Sequence, residues 1–171
     1  MPGPVYLESK RLELRTVESE DKEFIQKHWN APQLRHFFAK SDPITREQLT
    51  AFLDTGDDEI HFLPCRDGDP IGFMWLFEID DIASRGELGY WICLEEQGQG
   101  YATESAKLGL KYAFDERGLH KVMARVFDGN TPSRRVFEKL GFDEEGHLYD
   151  HYYVNGEYID TYLFGLLADN R

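Results

Sequence analysis

The 171-residue sequence predicts an α/β fold, a mixed β-sheet with helices packed on it, in the order β-α-α-β-β-β-α-β-α-β-β. Three observations carry the prediction. Some apolar residues alternate with polar ones, as in half-buried strands, while others recur every three to four positions, as in amphipathic helices. Two tight-turn signals, Asp67-Gly68-Asp69-Pro70 and Asn155-Gly156, each lie between strand-like runs and mark hairpins. A glycine-bearing turn, Gln97-Gly98-Gln99-Gly100-Tyr101-Ala102, joins a strand-like run, Leu88 to Leu94, to a helix-like run, Thr103 to Glu116. No repeat, low-complexity tract or linker interrupts the chain. Residues 1–171 therefore read as one domain, and 41% hydrophobic content supplies a core.

Val5 to Arg15 alternates as one strand, with Leu12 and Leu14 on a shared face. Glu20 to Trp29 carries the helical stripe Phe24, Ile25, His28 and Trp29, and Ser19 is placed to cap it. Thr45, followed by Arg46, Glu47 and Gln48, has the form of a capping box that opens a helix through Leu53. Acidic Asp54 to Glu59 reads as a loop. His61 to Cys65 and Ile71 to Ile79 flank the first turn signal. Arg85 to Leu94 then sets Leu88, Tyr90 and Ile92 against Glu87, Gly89, Trp91 and Cys93, so its two faces have different tasks.

In the next helix Ala102, Ala106, Gly109, Leu110, Ala113 and Phe114 share a face whose small residues imply close docking on a sheet. Gly118 ends it. Lys121 to Val126 is a strand, and Asn130 or Thr131 caps a short helix with Pro132 in its first turn and Gly141 after its end. Phe142 to Val154 and Glu157 to Leu166 make the final hairpin.

A net charge of -13 argues against a nucleic-acid surface, which needs a basic footprint, and suits a cationic small partner. It also fits adaptation to high salt. The bases are uneven: Arg117, Lys121, Arg125, Arg134, Arg135 and Lys139 crowd one segment, where an anion could bind locally. No apolar stretch is long enough to cross a bilayer, and Met1-Pro2-Gly3-Pro4 lacks the basic-then-apolar plan of a signal peptide, so the reading is cytoplasmic with no membrane partner. Cys65 and Cys93 sit in apolar strand-like runs as buried free thiols without metal-ligand spacing. His36, His61, His120 and His147 have no evident partner and are read as structural.

The glycine turn is where an anion should sit. Backbone N–H groups at the start of a helix lack intrahelical partners and lie at the positive end of its dipole, and glycines let a phosphate approach them. A second landmark follows, Asn130-Thr131-Pro132-Ser133, then Arg134-Arg135-Val136-Phe137-Glu138-Lys139-Leu140-Gly141-Phe142. Together with Gly86-Glu87-Leu88-Gly89-Tyr90-Trp91-Ile92 and Gln97 to Thr103, in this order and at family spacing, these residues make the chain resemble the GCN5-related N-acetyltransferase (GNAT) superfamily. Within it, the chain is similar to the branch that acetylates ribosomal-protein N-termini and other amines. The resemblance covers nearly the whole length.

It implies the acyl-coenzyme A N-acyltransferase fold, with two neighbouring strands, those ending near Leu94 and Val126, splayed apart. Backbone N–H groups of Gln97, Gly98, Gln99, Gly100, Tyr101, Ala102 and Thr103 would hold the pyrophosphate of acetyl-coenzyme A. The pantetheine arm would lie in the splay, facing main-chain groups near Tyr90 and Ile92, with the Asn130 amide reaching it from the other lip. The alternatives for these two are a helix cap for Asn130 and a solvated turn residue for Gln97. Arg134, Arg135 and Lys139 could meet phosphates or water.

Acetyl transfer to an amine first requires a proton acceptor, because an alkylammonium with a pKa near ~10 has no free lone pair at neutral pH. Glu87 is the candidate base, directly or through a water; otherwise it pairs with Arg85 or a neighbouring strand residue. The departing thiolate, from a thiol of pKa about 8.5, needs a general acid less. Many relatives place a tyrosine acid four residues before the Gly-Phe pair. Here that place is Phe137, which holds no proton, so Ser133 or water would meet the sulfur. A backbone N–H near Trp91 or Ile92 would stabilise the oxyanion. Glu78, Asp80 and Asp81 could attract the ammonium, and Tyr149, His151, Tyr152 and Tyr153 could wall its pocket. The expected reaction is direct acetyl transfer from acetyl-coenzyme A to a primary amine, with no metal. The acceptor is a protein or peptide N-terminal α-amine, with a polyamine or other small amine as the alternative; the rival from another class is a non-catalytic acyl-coenzyme A binding module. A homodimer is left open.

Overall fold

The computed structural model describes residues 2–35, 37, 42–54 and 56–171, and of Asp57 the backbone alone. His36 lies outside the described residues. One sheet organises the chain, in the order β1-β2-β3-β5-β6-β7-β9-β8, with a two-residue β4 paired to β3. The strands are β1 (Val5–Glu8), β2 (Glu13–Thr16), β3 (Ile60–Arg66), β4 (Asp69–Pro70), β5 (Gly72–Asp80), β6 (Arg85–Ile92), β7 (Lys121–Phe127), β8 (Asp143–Val154) and β9 (Glu157–Leu167). The helices are α1 (Lys22–Trp29), α2 (Pro32–Arg35), α3 (Arg46–Leu53), α4 (Tyr101–Lys111) and α5 (Thr131–Lys139), with a π turn over Tyr112–Glu116 prolonging α4.

Two expectations are corrected. Val5 to Arg15 is not one strand but an antiparallel hairpin of β1 and β2. Ser9 closes its turn: its N–H donates to the Leu12 carbonyl at 2.8 Å, and its hydroxyl donates to Glu104 of α4 at 2.6 Å. The turn is thus held by a tertiary contact that alternation along the strand cannot reveal. The short α2, which buries Leu34, was also not anticipated. Elsewhere local chemistry operates as read: Thr45 and Gln48 form a reciprocal capping box, and Asn155 and Gly156 both take the positive φ of a tight hairpin turn.

The core lies on both faces of the sheet. On one, α4 and α5 cover Met74, Leu76, Leu88, Val122 and Phe164; on the other, α1 and α3 cover Leu63, Phe73 and Trp91. Gly109 explains how closely α4 docks, since a Cβ there would stand 2.7 Å from the Met74 sulfur. β6 and β7 run parallel and pair only at Arg85–Lys121, Gly86–Val122 and Glu87–Met123. Beyond Glu87 they diverge, β6 staying with β5 through Ile92 and β7 with β9 through Phe127. Among the described residues no helix is long and apolar enough to cross a membrane.

Candidate active site

A cavity of about 660 Å³ runs through the splay, reaching from Gly98, Gly100 and Thr103 at the start of α4 to Glu87 and Arg125. At its α4 end the chain builds a row of unused donors. Gly98 and Gly100 sit at φ 77° and 85°, the left-handed region that glycine enters without penalty, and no side chain caps α4. The N–H groups of residues 98–103 have no backbone acceptor. Arg11 braces the turn from outside, donating to the Gln99 carbonyl at 3.0 Å, pairing with Glu104 and stacking over Tyr101 at 4.9 Å. Gln97 does not face solvent freely; its amide donates to the Ile92 carbonyl at 2.9 Å.

Strand alternation fixes which backbone groups face the gap. The Cys93 N–H donates to the Ile71 carbonyl, so Trp91 and Gly89, at even steps from Cys93, point their backbone to β5. The N–H and C=O groups of Tyr90 and Ile92 then turn into the splay. This narrows the expected oxyanion donor: the Trp91 N–H is turned away. On the opposite lip Asn130 lines the cavity while its Oδ1 accepts the Ser133 N–H at 3.3 Å, capping α5, so it occupies both of the places considered for it.

Glu87 is 4% exposed. Its partner is not Arg85, which lies 3.9 Å from Asp80, but Arg125 of β7 at 2.9 Å. Arg125 also meets Glu78 at 3.1 Å and reaches the Tyr152 hydroxyl at 3.5 Å. Burial pushes the Glu87 carboxyl up, Arg125 pulls it down and Glu78 pushes it up again, and burial prevails to leave it at about 7. Glu87 can therefore both hold and release a proton near neutrality.

Tyr90 projects from the opposite face of β6, and its hydroxyl lies 3.1 Å from Ser133 Oγ. Its ring packs 5.8 Å from that of Phe137, so a phenol comes to the neighbourhood of Phe137 from a strand rather than from α5. Burial raises this phenol to about 12. The sequence reading assigned Tyr90 only a main-chain role and missed its hydroxyl.

Much of the remaining cavity wall is aromatic, from Trp29, Phe37, Phe52, Trp75, Phe77, Phe127 and Tyr152, with Leu34, Leu88 and Val136 among the aliphatic residues and Glu59 also lining it. His61 lies 3.1 Å from Glu59, but burial lowers the imidazole to about 4, so at neutral pH it brings hydrogen bonding and no charge. Of the four late-hairpin residues expected at the pocket only Tyr152 reaches it; Tyr149 and Tyr153 are exposed. Asp81 pairs with Arg117 at 3.1 Å, and Asp80 caps a turn, leaving Glu78 as the acid tied to the site. Arg134 is turned onto Tyr162 and paired with Glu138 and Glu144, whereas Lys139 joins Arg11, Lys107 and Lys111 around a second cavity of about 880 Å³ that shares Gly100 and Thr103 with the first. His147 pairs with Asp160 at 2.7 Å, away from the site.

A parted pair of parallel strands, with a glycine-turn helix start at one end of the gap, defines a class of acyl-transfer enzyme. The match confirms it: residues 11–143 fit the model of the GNAT acetyltransferase domain, and the chain belongs to that family. It is an acetyltransferase that uses acetyl-coenzyme A. A Bacillus subtilis (strain 168) protein provisionally named a ribosomal N-acetyltransferase, YdaF, is 39% identical over 101 residues, 59% of this chain and 55% of that protein. Spermidine N(1)-acetyltransferase of Escherichia coli (strain K12) is 33% identical over 154 residues, covering 86% of this chain and 81% of the relative. A crystal structure of spermidine N-acetyltransferase from Vibrio cholerae, in complex with coenzyme A and spermine, superposes with a TM-score of 0.90 at 27% identity, covering 95% of this chain and 98% of that one.

Proposed function

We propose that this chain transfers the acetyl group of acetyl-coenzyme A to a primary amine of a polyamine. The observation that carries the reading is one continuous cavity joining the unused N–H groups of α4 to a buried carboxylate within an aromatic wall. Aromatic faces and carboxylates attract alkylammonium groups, and the methylene spacers of a polyamine suit the apolar rings between them. The spermidine N-acetyltransferase relatives support this acceptor over the protein N-terminal α-amine first expected.

In this mechanism the N–H groups of residues 98–103 hold the pyrophosphate, that of Gln97, expected among them, being committed to the Leu94 carbonyl at 3.2 Å, and the Tyr90 and Ile92 main chain with the Asn130 amide align the pantetheine. The bound ammonium first loses one proton, through Glu87 or a water, to solvent, and the freed amine nitrogen attacks the thioester carbonyl. Its proton becomes far more acidic once the nitrogen is bonded to that carbon, and Glu87 accepts it, directly or through a water. As the C–S bond breaks, Ser133 donates a hydrogen bond to the departing sulfur and Tyr90 donates one to Ser133, and the thiolate takes its proton from water. The Tyr90 or Ile92 N–H supports the oxyanion.

Thiol release from acetyl-coenzyme A is measured with spermidine, spermine, N-terminal peptides and an aminoglycoside. Turnover with the polyamines at a kcat/KM at least about tenfold above the peptides supports the reading. Turnover confined to peptides restores the N-terminal acceptor, and coenzyme binding without turnover on any amine sinks the catalytic assignment.

A further inference from the structure

We propose that His28, Cys93 and Glu95 form a binding site for one zinc-class divalent ion, separate from the acetyl-transfer cavity's reacting groups. Their ligand atoms, one nitrogen, one sulfur and one carboxylate oxygen, all lie within 4.8 Å of one another. The three come from two elements remote in sequence, α1 and the turn that follows β6.

The imidazole is prepared as a ligand. Its Nδ1 lies 2.9 Å from the Phe24 carbonyl, which selects the tautomer with hydrogen on Nδ1 and leaves the Nε2 lone pair available, the arrangement that orients metal-bound histidines. A tilted contact with Phe24 at 4.4 Å and stacking on Trp91 at 5.5 Å hold the ring. Cys93 is buried at 3% exposure and anchored through its N–H to Ile71, while Glu95 is exposed and mobile enough in its rotamers to close on an ion.

Donor chemistry selects the ion. A thiolate with an imidazole favours zinc over magnesium or calcium, which prefer oxygen. One thiolate and one carboxylate also balance a 2+ charge. Metal–sulfur and metal–nitrogen bonds of about 2.3 and 2.0 Å place ligand atoms about 3.3–3.5 Å apart, so atoms now within 4.8 Å of one another close on the ion by rotation of the exposed Glu95 side chain together with small shifts of the His28 and Cys93 side chains. Burial holds the free thiol at about 12, so binding releases its proton to solvent. Three protein ligands leave a fourth position to water. The ion clasps α1, which carries Trp29 of the cavity wall, to the end of β6.

The test uses the full untagged chain. Zinc affinity is measured by competition with a chromophoric chelator, and cobalt is titrated to seek the thiolate-to-cobalt charge-transfer band. The wild type and Cys65→Ser are expected to take one equivalent and to develop the band. Cys93→Ser is expected to lose the band and at least about a hundredfold in zinc affinity, and Glu95→Gln, at an exposed position that leaves folding intact, at least about tenfold. Absence of the band in wild type, its persistence in Cys93→Ser, or equal zinc affinity in wild type and Glu95→Gln overturns the proposal.

Discussion

Two buried ionisable side chains pull stability in opposite directions with pH. His61 is lowered to about 4, so its neutral burial contributes stability that is present above the ordinary histidine value of 6.5 and lost as pH falls through 4. Glu87 is raised to about 7, so its contribution is present below the ordinary carboxylate value of 4.5 and lost as pH rises through 7. Where those windows overlap, between 4.5 and 6.5, the slopes oppose each other. Urea titrations should therefore show a shallow pH dependence in wild type, whereas His61→Phe removes a loss on the order of 3 kcal/mol toward acid and leaves the Glu87 slope visible. If Glu87 is the base, kcat/KM rises with an apparent pKa near 7, and Glu87→Gln lowers it by about 10²–10⁴ and flattens the profile. An unchanged profile in that variant removes Glu87 from the mechanism. Ser133→Ala and Tyr90→Phe should cost no more than about tenfold each in kcat, because the sulfur leaves readily, and their effects should not add, because the two hydroxyls act in series.

At the scale of the elements, the turn into α4 is the sensitive one. Gly100→Ala forces an L side chain to φ 85° with its Cβ 3.4 Å from Arg11, and is expected to destabilise the fold by about 1–2 kcal/mol and to weaken coenzyme A binding in calorimetry. Gly118→Ala, also at positive φ but in open space, should cost stability alone. This turn was legible in the sequence because its chemistry is local: glycines, a preceding strand, a following helix. So were both hairpin turns and the capping box. The β1–β2 turn was not, because Ser9 is held there by Glu104, 95 residues away. The partner of Glu87 was legible only as a residue of a neighbouring strand: Arg125 reaches it where β6 and β7 lie side by side, whereas the other candidate, Arg85, is near it in sequence alone. The aromatic wall of the cavity was the least legible, being assembled from scattered side chains of α1, α3, β5, β7 and β8.

For the whole molecule, charge is the property that the sequence determines without the fold. A net charge of -13 makes the folded state repel itself at low ionic strength, and ions within a Debye length of about 8–10 Å screen that repulsion. The melting temperature should rise with potassium chloride; a flat or falling curve removes the high-salt reading. The ladder between β6 and β7, which stops after its third rung, has a different consequence. A sheet parted in this way leaves room for a strand that its gene does not encode, and on the proposed placement the coenzyme's amide-bearing tail takes that room. Loading the enzyme should slow hydrogen exchange at Tyr90 and Ile92 while leaving Trp91, already committed to β5, unchanged, so that one stretch of backbone reports occupancy residue by alternate residue.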